Sequence, residues 1–329
     1  MQLRTTKARS GVTMEYFPLI TVLTLSYNST YIYESIGSVL GQSYPRIEYI
    51  IVDDGSDTFY ESEICAYIEA HKGDNLESYH IISHSQNMGT VKASNTALSN
   101  SHGDYIFNLA ADDIFFDSDV LADWTREMIC RNSMIMTGQY VIYDETMKER
   151  KGAGPSDEEV RLLKTRSPEQ VFKRLTEANF IYGCCTARSR LLIQKYGMYD
   201  EAYRLIEDYP AVLKLSRQGV VIDYLNRPVV KYRQGGVSSP KHFNPIYEKD
   251  SDEILRREIL PYTEHKFCIR LRYYMWKSKR IQENRFAYEY SLLCGNGQNI
   301  KRLLLAIRFP IPALRIVKRK FTEKCTAGR

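Results

Sequence analysis

The sequence predicts an α/β fold, a mostly parallel sheet with helices on both faces, followed by a helical C-terminal extension. Three observations predict it. Four short runs of apolar, β-branched and aromatic residues alternate with helical patterns between Leu19 and Leu109. Strands separated by helices need crossover connections, which make the strands parallel and lay the helices on the sheet faces. Three of the strands run into a polar or acidic cluster, Tyr27-Asn28, Asp53-Asp54 and Asp112-Asp113. In open α/β sheets ligands bind outside the carboxyl ends of the strands.

Residues 1–17 read as a flexible leader, polar and basic at the start (Gln2, Arg4, Lys7, Arg9), with no apolar stretch of a secretory signal. Leu19 to Leu25 is the first strand. Ser29 or Thr30 is placed to cap the next helix, whose buried face is Ile32, Ile36, Val39 and Leu40, and Gly41 and Pro45 end it. Tyr49 to Val52 is the second strand, with a helix from about Phe59 to His71. Tyr79 to Ser83 is the third, with a helix near Val91 to Ser99. Gly103 turns into the fourth at Tyr105. A helix from Asp119 to Cys130 and a strand from Met134 to Tyr143 follow. The charged stretch Lys148 to Lys164, containing Gly152 and Gly154, reads as a flexible loop. Pro168 opens a helix, Arg188 to Tyr196 reads as helical, and a further helix runs from Pro210 to Gln218. Val220 to Leu225 and Val229 to Tyr232 are late strands. Beyond Pro240 the pattern becomes charged, aromatic helices, Glu253 to Leu260 and Lys266 to Leu293.

Composition narrows the class. Of the 329 residues 43% are hydrophobic and 26% charged, ordinary for a globular protein. No run of 18 uncharged apolar residues exists, so no spanning helix is expected. Seven cysteines without Cys-x-x-Cys or Cys/His zinc spacing suggest free thiols in a reducing compartment, hence the cytoplasm. The net charge of +5 is uneven: residues 301–329 hold nine Lys or Arg against Glu323, so the first 300 residues carry −3. The basicity belongs to the tail, and no nucleic-acid partner is expected from the body. Within 300–320, Leu303 to Leu305, Ile307, Phe309 and Ile311 alternate with cations and are interrupted by Pro310 and Pro312. That pattern suits an anionic membrane surface, and equally helices docked on the body or pairing two subunits in a homodimer.

Asp112 and Asp113 sit between the apolar runs Tyr105 to Leu109 and Ile114 to Phe116. Two like charges in such a place repel and lose hydration unless a cation compensates them. A turn that feeds a helix capped by Asp117 or Asp119 is the plainer reading. Glu207-Asp208 precedes Pro210, which suits a helix N-cap as well as a general base.

Taken together, Ile20-Thr-Val-Leu-Thr-Leu-Ser-Tyr-Asn28, Ser35-Ile-Gly-Ser-Val-Leu-Gly-Gln-Ser-Tyr44, Ile50-Ile-Val-Asp-Asp-Gly-Ser-Asp57, Asn87-Met-Gly89, Gly103-Asp-Tyr105, Ala111-Asp-Asp113 and Glu207-Asp208 resemble glycosyltransferase family 2, the inverting enzymes of GT-A fold. The resemblance covers roughly residues 18–235. It implies a Rossmann-like GT-A domain over 18–240, with a nucleotide-binding half to about 117 and an acceptor half beyond, and a basic helical extension over 241–329. It implies a metal-dependent hexosyltransferase using a nucleotide-sugar donor, with UDP expected, and a saccharide or lipid-linked acceptor in cell-surface polysaccharide synthesis. Tyr27 and Asn28 would line the base, Asp54 would accept a uracil N3–H, Asp53 would hold the turn, and Lys92 would stand near phosphate unless it is a solvated helix lysine. Asp112 and Asp113 would hold Mn2+ or Mg2+, and Asp208, beside Glu207, would be the general base. Cys184 and Cys185 read as packing.

Many members carry a further Asp where this chain has Ala110, so a thinner metal site is expected. Two other classes compete. A sugar nucleotidyltransferase would want a Gly-rich, basic loop after the first strand, where Ser26-Tyr-Asn-Ser-Thr30 stands. A non-catalytic binding module would not need Asp54, Asp113 and Asp208 together.

Overall fold

The structure, a computed structural model, describes residues 4–8, 11–15, 17–235 and 244–277. One compact unit takes the chain to Gln234 and again from Ile246 to Thr263. A second holds Gly235–Pro245 and the chain from Glu264. In the second unit residues 266–277 are helical, and the Tyr273 and Trp276 rings lie 5.8 Å apart. The expected helix to Leu293 and the basic tail over 300–320 extend outside the described residues.

The first unit opens with β1 (Arg4–Ala8) and β2 (Gly11–Glu15), an antiparallel pair where the sequence reads as a flexible leader. Then come β3 (Ile20–Ser26), α1 (Ile32–Leu40), β4 (Ile47–Asp53), α2 (Glu61–His71), β5 (Leu76–Ser83), α3 (Thr90–Ser99) and β6 (Tyr105–Ala110). This is the predicted alternation. β3 is parallel to β4 and β6, and β4 to β5. Burial explains the strand sequences: every residue of β4 is buried, as a strand covered on both faces must be. After β7 (Ile114–Phe115) and α4 (Val120–Arg131), whose Trp124 packs edge-on against Phe107 of β6 at 5.4 Å, comes β8 (Ile135–Tyr143).

The stretch expected to be a loop is ordered. It forms β9 (Arg150–Gly154), paired to β8, and α5 (Asp157–Lys164). Ser156 and Glu159 make a capping box: the Ser156 side chain accepts from the Glu159 N–H while the Glu159 carboxylate accepts from Ser156. α6 (Pro168–Leu175) follows, with Ser167 as its cap. Arg188, expected in a helix, lies in β10 (Thr186–Ser189), and α7 (Arg190–Tyr196) begins after it. α8 (Asp208–Arg217) leads to β11 (Asp223–Arg233), one bulged strand in place of the two expected. The bulge falls between Leu225 and Pro228, since Pro228 cannot donate to the ladder. α9 (Pro245–Ile254) runs into a wide turn over Leu255–Ile259. The expected boundary at 240 therefore misplaces 246–263, which belong with the main unit.

The main sheet has nine strands in the order β5-β4-β3-β6-β10-β8-β11-β7, with β9 on β8. Register places the site. Ser26 lies beside Asp53, and Leu25 beside Ala110, so three strand ends finish level. β10 runs antiparallel to β6, so it starts where β6 ends. Its preceding turn, Gly183–Cys185, is thereby delivered to Asp112 and Asp113. β7 pairs with β11, Phe115 opposite Val230, which lays Arg233 next to Asp113.

Candidate active site

The strand-end cluster has three layers of support. Asp53 accepts from the backbone N–H and hydroxyl of Ser56 and closes the Asp54-Gly55-Ser56 turn, the structural role expected of it. Asn28, in the left-handed region (φ 49°), accepts from Asp57 N–H at 2.9 Å and donates to the Asp57 carboxylate. It clasps two strand ends together. Ser29 accepts from Tyr31 N–H but α1 has no side-chain cap, so neither Ser29 nor Thr30 plays the expected part. Tyr27 stands half exposed beside this clasp.

Asp54 is buried and engaged by its own chain. Its Oδ1 pairs with His84 Nδ1 at 2.8 Å and accepts from Met88 N–H at 2.9 Å, and its Oδ2 accepts from Gly89 N–H at 2.8 Å. It fixes the loop 84–89, and Oδ2, with one hydrogen bond, retains one lone pair. Gly89 (φ 93°) has no room for a Cβ, which would lie 2.5 Å from the Arg204 carbonyl oxygen. Lys92 is exposed on α3, as a solvated helix lysine would be.

Asp113 is 1% exposed. Its Oδ1 accepts from Arg233 N–H at 2.8 Å, while Oδ2 is fully buried with no partner. Burial and the adjacent Asp112 hold its carboxyl well above the ordinary range, against the opposing Arg233 N–H and Cys184 thiol. Burial raises Asp112 as well. Arg233 braces the pair: it donates to the Asp112 carbonyl, the Glu145 carbonyl and the Glu34 carboxylate, and lies 3.8 Å over the Tyr31 ring. Nothing in the sequence pattern singled it out beyond its place at the end of the last strand. Among the described residues no group of three or more His, Cys, Asp or Glu is arranged for a metal ion. The orphaned Asp113 Oδ2 beside Asp112 nevertheless fits a divalent cation that takes its other ligands from a diphosphate and water.

Glu207 and Asp208 face this corner from α8. Asp208 accepts from Gly183 N–H at 3.0 Å, Tyr209 N–H at 2.6 Å and the Asn179 amide at 3.3 Å. It is the first helical residue and Glu207 is the N-cap, so Asp208 does not cap α8 as the plainer reading has it. Burial raises Asp208, and burial with the charge of Asp208 pushes Glu207 up to about 8. Arg188 opposes both shifts. Its guanidinium lies 4.4 Å over the Tyr199 ring and donates to that hydroxyl. A Cβ at Gly183 would sit 2.9 Å from Glu207 Oε1, so a larger residue there would push the Glu207 carboxylate aside. The Cys184 thiol is pushed up by its contact with Cys185, by burial, and by the charges of Asp113 and Asp208. A thiol so disfavoured as thiolate is a poor nucleophile.

The Glycosyl transferase family 2 profile matches residues 21–197. The chain belongs to that family. This family 2 chain is 26% identical over 205 residues to an uncharacterized glycosyltransferase of Rickettsia prowazekii (strain Madrid E), covering 61% of this chain and 60% of that one. It therefore spans about 60% of the length of that relative. A Haemophilus influenzae uncharacterized glycosyltransferase is 27% identical over 261 residues, 76% of each chain. A Bacillus subtilis protein named for teichuronic acid biosynthesis, TuaG, is 39% identical over 97 residues, 29% of this chain and 36% of that one. Among solved structures, S. aureus TarS 1–349 superposes with a TM-score of 0.53 at 19% identity, covering 90% of this chain and 79% of that one. The same protein in complex with UDP-GlcNAc gives 0.51 at 16%, covering 88% and 80%. The shared fold is GT-A.

Proposed function

We propose that the protein is an inverting glycosyltransferase moving a hexosyl unit from a UDP-sugar to a hydroxyl of a saccharide or lipid-linked acceptor in cell-surface polysaccharide synthesis. One observation carries the reading: the Gly183–Cys185 turn, whose Gly183 N–H donates to Asp208 at 3.0 Å, leads into β10, which pairs antiparallel with β6, the strand that ends just before Asp112 and Asp113. Two acidic centres flank one small space. The UDP-GlcNAc held by TarS and the pathway named for TuaG support the donor and acceptor classes.

Asp112 and Asp113 would hold Mn2+ or Mg2+, which when bound stabilises the charge on a departing diphosphate. The remaining roles fall to the chain itself. The Asp54 clasp sets the loop 84–89 at the rim of the donor site, beside Tyr27. A uracil N3–H would meet the remaining Oδ2 lone pair of Asp54. Asp208, largely buried and tied by three donors, would take the acceptor proton on a remaining Oδ1 lone pair. Glu207, pushed up to about 8 by burial and the charge of Asp208, holds its proton near neutral pH. A single base opposite the leaving group gives one displacement, and so inversion. A panel of nucleotide sugars, assayed for UDP release with and without Mn2+ and followed by NMR of the product, tests this. A β-linked product from an α-linked donor is expected. Retained configuration would reject the mechanism, and UDP release indifferent to Mn2+ would reject the metal.

A further inference from the structure

Asp250 of α9 is 3% exposed, in a segment that the sequence reads as part of the helical C-terminal extension. Its Oδ2 collects three successive backbone N–H groups, from Arg204 at 2.9 Å, Leu205 at 2.6 Å and Ile206 at 3.2 Å. Consecutive N–H groups converging on one anion form a nest, a strongly directional anion site. The residues that follow are Glu207 and Asp208.

The nest is tied on both sides. The Arg204 carbonyl accepts from Val91 N–H at 3.1 Å, and the Arg204 guanidinium donates to the Asn87 carbonyl at 2.9 Å. These are the loop and helix start that Asp54 anchors through Met88 and Gly89. On the other side, the segment after α9 grips the far end of α8. Arg217 donates to the Glu258 carboxylate at 2.9 Å and to its carbonyl at 3.1 Å, and stacks 3.7 Å over the Tyr262 ring. α8 is thus held at its entrance by Asp250 and at its exit by Glu258.

We infer that Asp250 is a positioning residue for the acceptor base: its carboxylate fixes the backbone of 204–206, which sets where Glu207 and Asp208 enter α8. This rests on the reading of Asp208 as base, and the test separates the two. The probes are acceptor-free UDP release from UDP-N-acetylglucosamine and hydrogen exchange at the Gly183 and Tyr209 amides, both bonded to Asp208.

Asp250→Ala leaves three N–H groups without their anion. Displacing a base by about 1 Å costs about 100-fold in rate, so kcat is expected to fall about 10- to 100-fold. The KM for donor is expected to stay within about twofold, because Asp54 holds the loop 84–89 by its own bonds to His84, Met88 and Gly89. Exchange at Gly183 and Tyr209 is expected to rise about tenfold while that of the β3–β6 core stays native. Asp250→Asn keeps an accepting oxygen without the charge, and kcat is expected to lie between the two. Native kcat and native exchange in a folded Asp250→Ala protein would overturn the inference. So would exchange raised evenly across the whole sheet, the mark of plain destabilisation. If the alanine protein does not fold, Asp250→Asn decides by the same two readings, and native values there overturn it. Asp208→Asn runs alongside: near-native UDP release in that variant sinks the base reading, whereas exchange at Gly183 and Tyr209 in the Asp250 variants still decides the positioning.

Discussion

Asp208 and Glu207 share a corner in which only one negative charge is comfortable, and that governs their chemistry. Asp208→Asn keeps the shape and the Gly183 contact but removes the proton acceptor. Sugar transfer is expected to fall by about 10²–10⁴-fold, the usual range for losing a general base. UDP affinity by calorimetry is expected to stay native, since Asp208 serves the acceptor. Turnover near the native rate in Asp208→Asn would move the role to Glu207. Glu207 makes a different prediction. Its folded value, about 8, lies above its ordinary 4.5, so the folded state binds this proton more tightly than the unfolded one. The stability it supplies is complete below the unfolded value and is lost as pH rises through the folded one. The melting temperature is therefore expected to decline between about pH 5 and pH 8, with Glu207→Gln flattening the decline. An unchanged slope in the glutamine variant would show that the proton is bound elsewhere.

Elements show where local rules suffice. The capping box of α5 is a four-residue signal, Ser156-Asp-Glu-Glu159, inside a stretch whose charge and glycines suggest a loop. Charge density alone misled there, because Glu159 is turned inward: its carboxylate accepts from Ser156 and pairs with Arg174 of α6. Ser156→Ala is expected to cost about 1 kcal/mol of stability, the usual value of an N-cap. Urea unfolding would read it as a lower midpoint at unchanged slope. A midpoint equal to native would mean that Arg174 holds Glu159 without the cap. Strand β10 taught the opposite lesson. Thr186 to Ser189 is too short for a periodic signal and merges with the helix pattern that follows, so only its pairing to β6 and β8 reveals it.

At the scale of the molecule, the basic tail poses a question of location. Residues 301–329 carry nine cations against one acid, with leucines and isoleucines between them. Among the described residues no helix is long and apolar enough to cross a membrane. We propose that the tail binds an anionic surface, where each Lys or Arg contributes about 1 kcal/mol. Flotation with vesicles of phosphatidylglycerol and phosphatidylcholine is expected to carry the full chain, and a chain ending at Asn299 is expected to stay behind. Equal behaviour of the two would assign the tail to docking on the body or on a second copy.

The sequence by itself determined the four parallel strands, the helices between them, the polar and acidic clusters that follow three strands at Tyr27, Asp53 and Asp112, and the adjacent Glu207 and Asp208. These follow from periods of two and 3.6 residues and from turns a few residues long, which a chain carries locally. Only the tertiary structure decided what surrounds those carboxylates. Arg233 donates to Asp113 across 120 positions, Gly183 to Asp208 across 25, and Asp250 receives Arg204 across 46. Such partners meet because β10 runs against β6 and α9 folds back beside α8, and no local pattern records either event. It also decided that Asp54 already answers to His84, Met88 and Gly89, so its role toward a nucleotide begins from one remaining lone pair. Buried polar groups must find partners wherever the fold brings them, and those partners set the chemistry left for a ligand.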